Sequence, residues 1–88
     1  MGRIFCKGTP SPNRTVYLLK ITATSYSIAM TTTTDEAGRW FINNVPPGKY
    51  TRWAAGKPSG TINVKVVKDI AAGQTVDFGD LNLKVCDY

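Results

Sequence analysis

The chain has 88 residues, 42% of them hydrophobic, with eleven Lys and Arg against six Asp and Glu and no histidine. That length holds one domain, residues 1–88, with no room for a second core. The missing histidine removes the commonest general base, the usual serine and cysteine relays and most zinc sites.

The formal charge of +5 is scattered from Arg3 to Lys84 without a basic run, so no specific nucleic-acid partner is expected. A strand face that gathers Lys20, Lys65 and Lys84 would favour an acidic surface, but a plain solvated basic surface is the simpler account.

Residues 2–7 read as the first strand. Neither an apolar leader nor an apolar span of about 18 residues precedes or follows it, so no signal peptide and no membrane span are expected. Gly8 to Asn13, with Pro10 and Pro12, is turn chemistry. Arg14 to Thr22 is a second strand, with Val16 and Leu18 on one face and Tyr17, Leu19 and Ile21 on the other. Both faces are therefore apolar and both call for cover. Tyr26 to Thr33 is a third strand, with Ile28 and Met30 alternating against Ser27 and Ala29.

Asp35 to Gly38 is a polar turn with glycine where positive φ is easiest. Residues 39–44 follow as a strand, Trp40 and Ile42 on one face, Arg39 and Phe41 on the other. Asn43-Asn44 and Pro46-Pro47-Gly48 force a reversal, and 49–55 returns as the next strand. Gly56 to Gly60 is a loop, and Thr61 to Val67 alternates Ile62, Val64 and Val66 against Asn63, Lys65 and Val67. A turn is expected at 69–73, and a last strand over 75–88 with a break near Gly79-Asp80. No helix is expected.

The run Thr34-Asp35, Gly38-Arg39-Trp40, Ile42, Asn44-Val45-Pro46-Pro47-Gly48 and Tyr50-Thr51 resembles the carboxypeptidase regulatory-like repeat. The likeness covers roughly a fifth of the chain. It implies an all-β, seven-stranded Greek-key β-sandwich, antiparallel or mixed, of transthyretin-like or immunoglobulin-like type, with Trp40 and Tyr50 in its core. It implies little about function, because such sandwiches serve many.

In sandwiches of this type the first and last strands are neighbours, so Cys6 and Cys86 are a candidate disulfide. It would close a loop of about 80 residues and stabilise by up to ~4 kcal/mol on the chain-entropy model. Two buried thiols and a bridge between chains are the other readings. Related adhesin sandwiches staple the same strands with a Lys–Asn isopeptide bond. Lys7 and Asn82 are available here, but the acid expected after Tyr50 is absent, and that reading fails.

Where the family carries a large apolar residue this chain has Arg52, and two registers follow. In one, Trp53 shares the outward face of Thr51 and makes, with Phe41 on the adjacent strand and Arg39 nearby, an exposed aromatic patch suited to an interface. In the other, a bulge turns Trp53 inward and the patch shrinks to Phe41.

The carboxylates Asp35, Asp69, Asp77, Asp80 and Asp87 fall in turns or at strand ends, and Glu36 is the only glutamate. No enzyme activity, cofactor or metal is expected, and Asp35 and Glu36 are better read as turn formers than as calcium ligands. The expected role is a structural or interaction module docking on a larger assembly. A phage capsid-decoration or tail-attached protein, hence a virion or other extracellular location, is the leading setting. A carbohydrate-binding module using Trp53 and Tyr26, and a spacer domain of a surface protein, are the alternatives.

Overall fold

The computed structural model describes residues 1–23, 25–60 and 66–86, and every regular element among them is a β-strand. These are β1 (Gly2–Cys6), β2 (Thr9–Pro10), β3 (Thr15–Ile21), β4 (Tyr26–Thr33), β5 (Arg39–Trp40), β6 (Gly48–Trp53), β7 (Lys68–Ile70) and β8 (Asp80–Leu83). They form two four-stranded sheets facing each other across one core, a β-sandwich.

In the front sheet β1 is central. Its upper half pairs antiparallel with β5 (Gly2 opposite Trp40, Arg3 opposite Arg39) and its lower half with β2. Along its other edge β8 runs parallel, from Arg3 opposite Asp80 to Cys6 opposite Leu83. The back sheet runs β4-β3-β6-β7, antiparallel throughout.

The front sheet contributes Ile4, Trp40 and Leu83 to the core, the back sheet Val16, Leu18, Tyr50 and Ile70, with Phe78 between β7 and β8. A fully buried side chain of this kind stabilises by roughly 1.5–3 kcal/mol. Trp40 and Phe78 meet with ring centroids 5.6 Å apart at 37°, a tilted aromatic contact. Tyr50 satisfies its hydroxyl by donating to the Pro46 carbonyl at 2.7 Å. Trp40 and Tyr50 are thus core residues, as the resemblance implies.

Several local expectations need correction. Ile28 and Met30 lie on opposite faces, because the β3–β4 register passes from Leu18–Met30 to Leu19–Ile28 and leaves Ala29 as an inserted bulge residue. Met30 packs against the core, whereas Ile28 is exposed. The segment expected to be a strand at 39–44 pairs only over Arg39–Trp40, and it pairs with β1, not with β6. Pro46 and Pro47 have no N–H for a hairpin ladder, so residues 41–47 cross from the front sheet to the back one. Residues 61–65 of the strand expected at 61–67 lie outside the described residues. The next paired segment is β7, so the turn falls at Ala71–Gln74, closed by a 3.0 Å bond from the Gln74 N–H to the Ala71 carbonyl. The broad last strand narrows to β8.

Leu19 faces away from the core and is still fully buried. The segment after β6 crosses that side, where Pro58 is buried and the Gly60 carbonyl accepts a 2.8 Å bond from the Tyr26 hydroxyl. The two-faced apolar pattern of β3 has its physical cause here.

A polar knot ties the strand ends. The buried Thr34 hydroxyl donates to the Ser11 carbonyl (2.6 Å) and accepts the Arg14 backbone N–H (2.9 Å). The Arg14 guanidinium donates to the Ser11 hydroxyl and to the Cys86 carbonyl, each at 2.9 Å.

Candidate docking surface

Alternation along β1 buries Gly2 and Ile4 and turns Arg3 and Phe5 outward. The register then writes the outer face of the front sheet row by row. Asp80, Arg3 and Arg39 stand side by side in one row, and Asn82 and Phe5 in the row below. Arg3 grips Asp80 with two bonds, Nε to Oδ1 at 2.9 Å and Nη2 to Oδ2 at 3.1 Å, and its guanidinium carbon lies 5.4 Å from the centre of the Phe5 ring. Arg39 donates from Nε to Asp35 Oδ2 at 3.2 Å. The row therefore reads Asp, Arg, Arg, Asp and is electrically balanced, although the whole chain carries +5.

Asp35 is also the keystone of the turn before β5. Its Oδ1 accepts the backbone N–H groups of Ala37 and Arg39, each at 2.9 Å. The Arg39 backbone N–H, helped by the Ala37 N–H and by the charge and side-chain bond of Arg39, outweighs the opposing desolvation and holds the Asp35 carboxyl below the usual carboxylate range. Gly38 sits at φ +75°, and a Cβ there would come within 2.5 Å of the Ile4 carbonyl oxygen, so the close approach of turn and β1 requires glycine.

Phe41 lies just past β5 with 51% of its surface exposed. It shares a groove of about 540 Å³ with Arg3, Arg39, Asp35, Asp77 and Asp80. Arg39 and Phe41 thus occupy one surface, as the alternation of 39–42 implies. Trp53 does not join them. It is on β6 of the back sheet, opposite Tyr17 and half-buried, with its indole N–H buried and unpartnered among the described residues. The expected pairing of the Phe41 and Trp53 strands fails because β5 joins β1 across the sandwich from β6.

The outward register of Trp53 does hold, since Leu18, Leu19 and Tyr17 oppose Arg52, Thr51 and Trp53 in order. Arg52 points to the inner side, half-buried, and burial lowers its pKa.

Cys6 and Cys86, 80 positions apart in sequence, are joined in a disulfide with their Cα atoms 5.9 Å apart. The separation lies within the ordinary range for such bridges. Asn82 supports the same corner, accepting the Gly8 N–H at 3.0 Å. Lys20 is on β3 of the back sheet, Lys84 lies just past β8 of the front sheet, and Lys65 lies outside the described residues. Arg3, Phe5 and Asp80 escaped the sequence reading of the surface. The alternation of β1 marks Arg3 and Phe5 as outward, but no local signal links Arg3 to Asp80, 77 positions away.

Among the described residues no cluster of three metal-ligating side chains occurs, and no helix is long and apolar enough to cross a membrane. No protein-family profile matches the chain, and no solved structure matches it. Among known proteins it is similar to colossin-B of Dictyostelium discoideum, 36% identical over 56 residues. The alignment covers 56% of this chain and 2% of that protein, so the chain spans a very small part of this relative's length.

Proposed function

We propose that the protein is a non-enzymatic structural module of carboxypeptidase regulatory-like, transthyretin-like type that docks on a larger assembly through the outer face of its front sheet. The observation that carries this reading is Phe41, half exposed in a groove walled by the Arg3–Asp80 and Arg39–Asp35 ion pairs. An apolar anchor inside a ring of charged pairs matches the layout of protein interfaces, where an apolar centre has a polar rim. The sheet beneath it is stapled by the disulfide, so the surface is presented without a large ordering cost. A virion accessory protein is the setting we favour for such a module.

Co-sedimentation of the protein with its source particle tests the proposal. Phe41→Ala and Arg39→Glu are expected to abolish co-sedimentation while leaving the fold intact, and unchanged co-sedimentation of both would sink it. The half-buried Trp53 makes a poor sugar platform. Tryptophan fluorescence that responds to added polysaccharide would favour the carbohydrate-binding alternative instead.

A second reading, a spacer unit within a longer chain, is favoured by the similarity to a stretch amounting to 2% of colossin-B. The parallel pairing of β1 with β8 gives it physical content.

A further inference from the structure

We propose that the module bears tension along the polypeptide and that its load path is β1 followed by the Cys6–Cys86 bridge. This deepens the spacer reading and rests on it; it does not depend on the docking surface.

The geometry is set by the parallel pairing of β1 with β8. The chain enters β1 at Gly2, at one end of the pair, and leaves β8 at Leu83, at the other end. Pulling the two chain directions apart therefore drags the strands past each other lengthwise. The bonds between them are loaded together instead of one at a time. They include the β1–β8 ladder, the Arg3 N–H to the Gly79 carbonyl at 3.1 Å and the Lys7 N–H to the Leu83 carbonyl at 2.9 Å. The Gly8 N–H to Asn82 Oδ1 bond and the Arg3–Asp80 pair, with its two hydrogen bonds, add side-chain ties across the same seam.

The bridge then shortens the path. From Gly2 the load runs along β1 to Cys6, across the sulfurs to Cys86, and out. The whole stretch between the cysteines, which stand 80 positions apart, is bypassed. β1 itself is already extended, at about 3.2–3.4 Å per residue against a limit of about 3.3–3.6 Å, so it has almost no length to yield. An ordinary domain lengthens under load by unravelling. This one transmits load through an extended strand and a covalent bond, and its core and both faces stay out of the path.

Single-molecule pulling decides the matter, with the chain held between two marker domains of known unfolding length. The oxidised protein is expected to show marker events alone. With reductant present, one additional event of roughly 290 Å is expected, 80 residues at about 3.6 Å each. An event of that size in the oxidised protein would overturn the covalent path.

The ladder is tested without the bridge, in Cys6→Ser/Cys86→Ser. Pulled from its two ends, this variant is expected to open at a several-fold higher force than when pulled from a Lys7→Cys attachment and its C-terminal end, which peels the strands one bond at a time. Equal forces, or release at negligible force because the variant does not fold, would overturn the lengthwise loading. The spacer reading fails on a different measurement, when three copies joined in tandem do not unfold as independent units.

Discussion

Arg3 and Arg39 stand directly opposite each other on neighbouring strands, and each turns to a carboxylate on its far side, Asp80 for the first and Asp35 for the second. Like charges so placed repel, and the flanking acids are what make the row tolerable.

Asp80→Asn should therefore cost more than the loss of one exposed ion pair suggests, about 1 kcal/mol in urea unfolding at low salt, because it leaves Arg3 facing Arg39. In 1 M salt, where charges are screened within about 3 Å, most of that loss should vanish. An identical loss at both salt concentrations would show that charge is not the cause.

Asp35 predicts the acid limb of stability. Its folded pKa lies below the unfolded one, so its contribution is complete above about pH 4 and is lost as pH falls through the folded value. Asp35→Asn keeps an oxygen to accept the Ala37 and Arg39 N–H groups but cannot titrate. Its stability is expected to fall less steeply than the parent's below about pH 4, as read from denaturant midpoints across that range. Superimposable slopes would assign the acid limb to other carboxylates.

Glycine is required at position 38 for two reasons and at 73 for one. Both have positive φ, but a Cβ meets the Ile4 carbonyl at Gly38 and open space at Gly73. Gly73→Ala should cost about 1 kcal/mol, the left-handed penalty alone. Gly38→Ala should cost about 3 kcal/mol or more, since β1 must also move. Equal thermal shifts for the two would show that the turn before β5 relaxes freely.

The two neighbouring aromatics should separate docking from folding. Trp40→Ala removes a core side chain and is expected to cost about 3–5 kcal/mol. Phe41→Ala, at a half-exposed position, should change stability by no more than about 0.5 kcal/mol while removing the anchor of the groove. A large stability loss for Phe41→Ala in chemical unfolding would move that residue from surface to core.

The sequence carried these conclusions unevenly, and the reason is the range over which each signal acts. Tyr26–Thr33 was legible to the residue because its composition and boundaries are local. The bulge at Ala29 was not, since it exists only in the match between β4 and β3. Alternation made Trp40 and Ile42 legible as one face and Arg39 and Phe41 as the other, while Trp40 and Tyr50 were legible as core residues only through the resemblance. The strand that Phe41 would accompany was misplaced because two-residue β5 has too little pattern to reveal its partner. Cys6 and Cys86 were suggestive through a fold resemblance, and the parallel β1–β8 pair supplies the physical cause. Arg3 and Asp80 meet only after that pair has formed.

The burial of Leu19 on the side away from the core changes how the surface should be handled. Residues 56–60 resemble spare loop in composition, yet with Pro58 tucked under and Gly60 held by Tyr26 they act as a roof over β3. Peptide insertion or a protease nick there would uncover a second small apolar layer and invite aggregation. The Ala71–Gln74 turn, where Gly73 faces open space, is the place to graft a tag or an epitope.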